Sequence, residues 1–74
     1  MARTMEGTLI IAQEGRFQLT DFSGVSHLFM LSPTAAAEAD QLTALQRRQA
    51  RLRVTYTPAR NVIGNLAQKI ELLD

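Results

Sequence analysis

Arg47, Arg48, Arg51, Arg53 and Arg60, with Lys69 further on, fall in a stretch from Gln41 to Ile70 that contains no acid. A guanidinium group grips phosphate or carboxylate in bidentate fashion, so arginines at this density would suit a phosphate chain or an acidic partner. The opposite charge sits in the other half of the chain. Residues 1–40 hold two arginines against five acids, a net of −3, and residues 41–74 hold six basic side chains against two acids, a net of +4. The chain as a whole carries only +1, so the segregation of charge is what points to a partner.

Local structure accounts for much of this cluster. Arg47 and Arg48 end a helix-forming segment, where cations meet the negative end of the dipole, and Glu38 and Asp40 fall early in it, where anions belong. Arg51 and Arg53 share the outward parity of a strand and can pair with the outward parity of the first strand, Glu6, Thr8, Ile10, Ala12 and Glu14. Each such cross-strand pair contributes roughly 0.2–1 kcal/mol. Arg60, in a loop, has no comparable local explanation. The candidate binding residues are therefore Arg60, Arg53, Arg51 and Arg16, joined by Phe29 and His27 if their strand displays them.

Other chemistries find little material. With no cysteine and the single histidine His27, neither a thiolate cluster nor a histidine-rich metal centre is expected, and no cofactor is expected either. Ser23, Ser26 and Ser32 stand in turn or capping contexts without a nucleophile elbow, and Gly7, Gly15, Gly24 and Gly64 are too scattered for a phosphate loop. His27 lacks a visible partner and pocket for general-base work. The expectation is a protein that is not an enzyme.

The elements that would position these residues must come from 74 residues with 46% apolar content, enough for one domain spanning 1–74. Such a core nets only about 3–5 kcal/mol, so a closed barrel or self-association would help it. The apolar runs Leu9 to Ala12, Leu28 to Leu31 and Ala35 to Ala37 fall far short of a membrane span, and the N-terminus lacks an apolar signal core. The expected compartment is the cytoplasm, with residues 1–6 a flexible N-terminus and Met5 an alternative start.

Thr8 to Gln13 and Arg16 to Asp21 are β-rich runs joined by Glu14-Gly15, which predicts a tight antiparallel hairpin. A turn at Phe22-Ser23-Gly24 leads into a third strand over Val25 to Leu31. This strand has two possible phases. With Val25, Phe29 and Leu31 inward, His27 goes in as well and needs a partner near a barrel end. With Leu28 and Met30 inward, His27 and Phe29 form a stacking platform beside Arg16 and Phe22. The first phase buries more large side chains.

After Ser32-Pro33, the segment from Thr34 to Arg48 predicts one helix, with Ala35, Ala39, Leu42 and Leu45 on one face and Ser32 or Thr34 as cap. Leu52, Val54 and Tyr56 alternate with polar residues up to Pro58, a clear strand. Asn61 to Asp74 fits helix or strand by periodicity; a strand is favoured because the preceding strand needs a partner. Gly64 would mark a bulge or a close approach.

Three strands, a helix and two strands, with Gly7-Thr8-Leu9, Phe17, Gly24 and Val54-Thr55-Tyr56-Thr57-Pro58 in that order, resemble the oligonucleotide/oligosaccharide-binding (OB) fold. The layout is similar to that of single-domain bacterial OB proteins, such as the smallest translation initiation factor and its relatives. The resemblance implies a mainly β domain with one helix, a small five-stranded Greek-key barrel in the order β-β-β-α-β-β. Those relatives are denser in Lys and Arg across strands 2 and 3, where this chain has only Arg16, Asp21 and His27, so RNA binding does not carry over. The expectation is a protein-protein adaptor, partnered by another protein or by itself. It would use an apolar patch of outward Ile10 and Ile63 or the Met30 face, with no membrane partner. The alternative is weak single-stranded RNA or DNA binding through the arginines.

Overall fold

The structure, a computed structural model, describes residues 2–33, 35, 39–58 and 64–73. Its elements are β1 (Arg3–Gln13), β2 (Arg16–Thr20), β3 (Ser26–Leu31), α1 (Ala39–Arg47), β4 (Arg51–Pro58) and β5 (Asn65–Leu72). The strands close into a barrel in the order β1-β2-β3-β5-β4, with β3 and β5 parallel and every other pairing antiparallel. This is the OB-like arrangement expected from the sequence, with the helix between β3 and β4 and a strand, not a helix, as the last element.

Each connection follows from its residues. Glu14 and Gly15 both adopt positive φ, 52° and 84°, as a two-residue turn between Gln13 and Arg16 requires. Helix α1 ends in a Schellman motif: Ala50 N–H donates to the Leu45 carbonyl (3.1 Å) and Gln49 N–H to that of Gln46 (2.9 Å), with Gln49 left-handed at φ 48°. The Ala50 carbonyl then accepts Leu9 N–H at 2.9 Å, and Gln46 Oε1 accepts Ala12 N–H at 2.9 Å. The helix thus attaches to the outer half of β1, and its Leu42 reaches the core. Glu38, Thr34 and Ile63 lie outside the described residues, and Arg48 falls in the turn after the helix.

Two corrections to the sequence reading concern where strands begin. β1 starts at Arg3, and residues 3–7 pair with β4 from Tyr56 to Leu52, so most of the segment expected to be flexible is sheet. Gly7 is required there, because a side-chain carbon added to it would lie 2.4 Å from the Thr20 carbonyl oxygen. β3 starts at Ser26, and Val25, expected inward, is half-exposed because its N–H is bound into the turn by Asp21.

Further corrections concern parity. A register irregularity between Leu9 and Ile11 turns Ile11 and Gln13 to the outside and packs Ala12, expected outward, against the core, with Ile10 half-buried at the irregularity itself. A second one, opposite Thr55/Tyr56, breaks the shared sequence parity of Leu66 and Ile70: Ile70 packs against the core, while Ala67 enters it and Leu66 turns outward beside Met30. Gly64 marks a close approach as expected: at φ 128°, a carbon added to it would lie 3.1 Å from the Leu28 carbonyl oxygen.

The core gathers Leu9, Phe17, Leu19, Phe29, Leu42, Ala50, Leu52, Val54 and Ala67. Phe17 and Phe29 stack at 5.2 Å and 15°, and Tyr56 meets Phe29 edge-on at 5.3 Å and 77°. The first of the two β3 phases is therefore the one adopted at Phe29. Truncating Phe29→Ala should cost roughly 3–5 kcal/mol, about the whole expected stability, and leave the chain largely unfolded by circular dichroism at 25 °C. Phe22→Ala, at a side chain 75% exposed, should change stability by less than about 0.5 kcal/mol. Equal losses at the two positions would contradict this core.

Candidate functional site

With Phe17 and Leu19 inward, β2 turns Arg16, Gln18 and Thr20 to the outside. Cross-strand pairing extends these positions into rows. Gln18 lies between Ile11 and Leu28, Arg16 between Gln13 and Met30, and Thr20 between Thr8 and Ser26. The first two rows form a shallow groove of about 270 Å³, with Ile11, Gln13, Arg16, Gln18 and Leu28 around it and the edge of Phe17 beneath. Ile11 is half-exposed and Leu28 and Met30 are half-buried, so the groove offers apolar surface with amides and a single cation.

The sequence-derived candidates separate in space. Arg53 sits opposite Glu6 in the β1–β4 ladder and holds its carboxylate, with Nε and a terminal nitrogen each 2.9 Å from Oε2; Glu71 adds a contact at 4.0 Å. The expected cross-strand pairing is thus present at Arg53. Arg51 lies opposite Thr8, its guanidinium carbon 5.9 Å from the centroid of the Phe22 ring. Arg16 stands at the groove. Phe29, expected as a possible stacking residue, is fully buried, because the core needs its ring against Phe17 and Tyr56. Arg60 lies outside the described residues.

His27 has the partner near the barrel end that the inward phase demands. Its Nε2 donates to Asp21 Oδ2 at 2.8 Å, both side chains being about one-quarter exposed. Asp21 Oδ1 accepts Ser23 N–H (3.0 Å), Ser23 O–H (2.7 Å) and Val25 N–H (3.0 Å). These hydrogen bonds, that from His27 foremost, hold the Asp21 carboxyl well below the usual carboxylate range. Gly24 supplies the positive φ of 87° that closes the turn. The result is a tightly bonded turn with the exposed Phe22 and Val25 on it.

Sequence reasoning did not single out Ile11, Gln18 and Leu28. The parity of Gln18 and Leu28 follows once Phe17 and Phe29 are taken as core, but Ile11 joins them only through the β1 irregularity. Among the described residues, no three or more His, Cys, Asp or Glu side chains gather as a metal site, and no helix is long and apolar enough to cross a membrane. No family model, no curated protein and no solved structure matches the chain.

Two measurements check these electrostatics. A double-mutant cycle on Arg53→Ala and Glu6→Ala should give a coupling of about 0.2–1 kcal/mol that shrinks with added salt, whereas zero coupling at low salt would contradict the pair. Asp21 binds fewer protons folded than unfolded in acid. Its stabilising contribution is therefore complete at neutral pH and is lost as pH falls below about 4 toward its lower folded value. The gap in urea midpoint between wild type and Asp21→Asn should accordingly narrow between pH 7 and pH 2.5; a constant gap would contradict the turn.

Proposed function

We propose that this protein is a non-enzymatic protein-interaction module whose contact surface is the outer face of β1, β2 and β3. The observation that carries the reading is the groove row of Ile11, Gln18 and Leu28 beside Arg16, on a face whose aromatic residues are turned into the core. Surfaces that contact protein combine apolar side chains and arginine with few lysines and acids. Binders of single strands instead set exposed rings along a basic groove, each ring worth about 1–3 kcal/mol per stacked base.

Single-stranded RNA or DNA is the second reading, favoured by the exposed Phe22 ring with Arg51 over it. It ranks lower because it has one ring, and because the neighbouring outward row of Glu6, Arg53 and Glu71 carries two acids for one base.

A photo-crosslinking amino acid at Gln18, with a control at Thr55, separates the readings in cells. The expected result is a discrete, protease-sensitive and nuclease-resistant adduct from position 18 that is lost with Ile11→Glu. Nuclease-sensitive adducts, or oligonucleotide affinity that falls steeply with salt, would overturn the protein reading.

A further inference from the structure

Strand β5 closes the barrel with only its first part. Asn65, Leu66 and Ala67 pair with β3, and Ser32 N–H donates to the Ala67 carbonyl at 2.8 Å. From Gln68 to Leu72 the strand pairs with β4 alone among the described residues, and helix α1 packs chiefly against β1. Gln68, Lys69 and Leu72 are exposed there, Leu72 at 47%. The result is a short open edge of sheet, which is a template for a further strand.

The ladder fixes which backbone groups this edge presents. Leu73 N–H donates to the Arg51 carbonyl at 2.9 Å, and the same register sets Glu71 opposite Arg53 and Lys69 opposite Thr55. In an antiparallel pair, residues bonded to the neighbouring strand alternate with residues whose N–H and C=O point the other way. Lys69, Glu71 and Leu73 therefore direct their backbone groups to β4. Ile70 and Leu72 direct theirs to the open edge.

The side chains decide what the edge accepts. Lys69 and Glu71 stand together on the outer face, the lysine side chain 64% exposed. Their mutual contact is 3.9 Å and that of Glu71 with Arg53 is 4.0 Å, whereas Arg53 is held at 2.9 Å by Glu6, so the Glu71 carboxylate has room for a closer cation. A lone lysine on an edge discourages a second strand. A lysine and a glutamate two residues apart instead select one register. When this edge meets its own copy antiparallel, with the twofold axis at Ile70, each Lys69 faces the Glu71 of the other copy. An axis at Lys69 would set lysine against lysine, and one at Glu71 would set glutamate against glutamate. With the axis at Ile70, the two Ile70 residues exchange both backbone bonds. Lys69 and Glu71 then occupy the non-hydrogen-bonded positions, where Cα atoms are about 4.5 Å apart and side chains come closest. On the other face, Leu72 reaches diagonally toward Ile70 of the second copy.

We propose that β5 pairs edge to edge with β5 of a second copy of this chain, antiparallel about Ile70, so that two barrels share one continuous sheet. The interface is isologous, since one edge supplies both sides of it. It uses a different strand from the β1-β2-β3 face, and it stands or falls independently of the function proposed for that face.

The test is sedimentation velocity on the full chain over a concentration series reaching about 1 mM, the range in which small interfaces associate. Wild type should pass from monomer to dimer. Lys69→Glu and Glu71→Lys, their folds checked by circular dichroism, each set like charges at both facing positions and should weaken association about 10-fold or more at low salt. An equimolar mixture of the two variants should recover a heterodimer, because the glutamates of one then face the lysines of the other at both positions. The register has its own readout in a mixture of isotope-labelled and unlabelled wild type, an intermolecular nuclear Overhauser contact between the Hα protons of Lys69 and Glu71. Within one strand these residues are roughly 6–7 Å apart at about 3.3 Å per residue, too far for a strong contact.

A wild type that stays monomeric throughout, a mixture that associates no better than its components, or a dimer without the Lys69–Glu71 contact would overturn the pairing. So would a strand of a different protein found on this edge in place of the second copy.

Discussion

The ring column of Phe17, Phe29 and Tyr56 is the contact on which the rest of this barrel depends. A chain of this size has few large side chains to bury, and these three come from β2, β3 and β4, three of the five staves. Placing them together phases those strands at once, since a one-residue slip would turn every side chain to the opposite face. What remains outside is then determined: Gln18 and Leu28 pair across the surface because Phe17 and Phe29 pair across the core. The candidate site is the other side of the aromatic core.

Much of this was legible from alternation alone. Leu52, Val54 and Tyr56 show their phase without help, and the Glu14-Gly15 turn follows from glycine's tolerance of positive φ. Parity also anticipated that Arg53 would face the outward row of the first strand, which includes Glu6, and the inward phase anticipated that His27 would need a hydrogen-bond partner near a barrel end. Two kinds of information were hidden. Irregular pairing in β1 and β5 depends on contacts distant in sequence, such as Ala50 and Gln46 bonding to β1, and it reverses which residues face out. That Asp21 is the partner of His27, and that Val25 belongs to the turn, depend on how one carboxylate folds the backbone around itself.

Among the described residues, the charge asymmetry along the sequence divides into separate local contacts. Asp40 lies in the first turn of α1 and Arg47 in its last, as the helix dipole favours. Arg53 is held between Glu6 and Glu71, and Lys69 approaches Glu71 at 3.9 Å. Arg51 lies against Phe22, and among the described arginines Arg16 is the one that lines the groove. A single basic stripe in the sequence is thus several short contacts on a closed sheet. Among the described residues, the exposed side of the groove and the bonded Phe22 turn stand out on the surface more than any run of arginines does.

Which phenylalanine rings water can reach decides whether this core is the one that forms. Solvent paramagnetic relaxation of the ring protons, using a neutral soluble probe with dilute protein at neutral pH, measures this without substitution. Phe22 protons should relax strongly, while Phe17 and Phe29 protons should be shielded and show mutual nuclear Overhauser contacts. Strong relaxation at Phe29, equal to that at Phe22, would place its ring on the surface. It would contradict both the core and the outward rows of β2 and β3 on which the proposed contact surface rests.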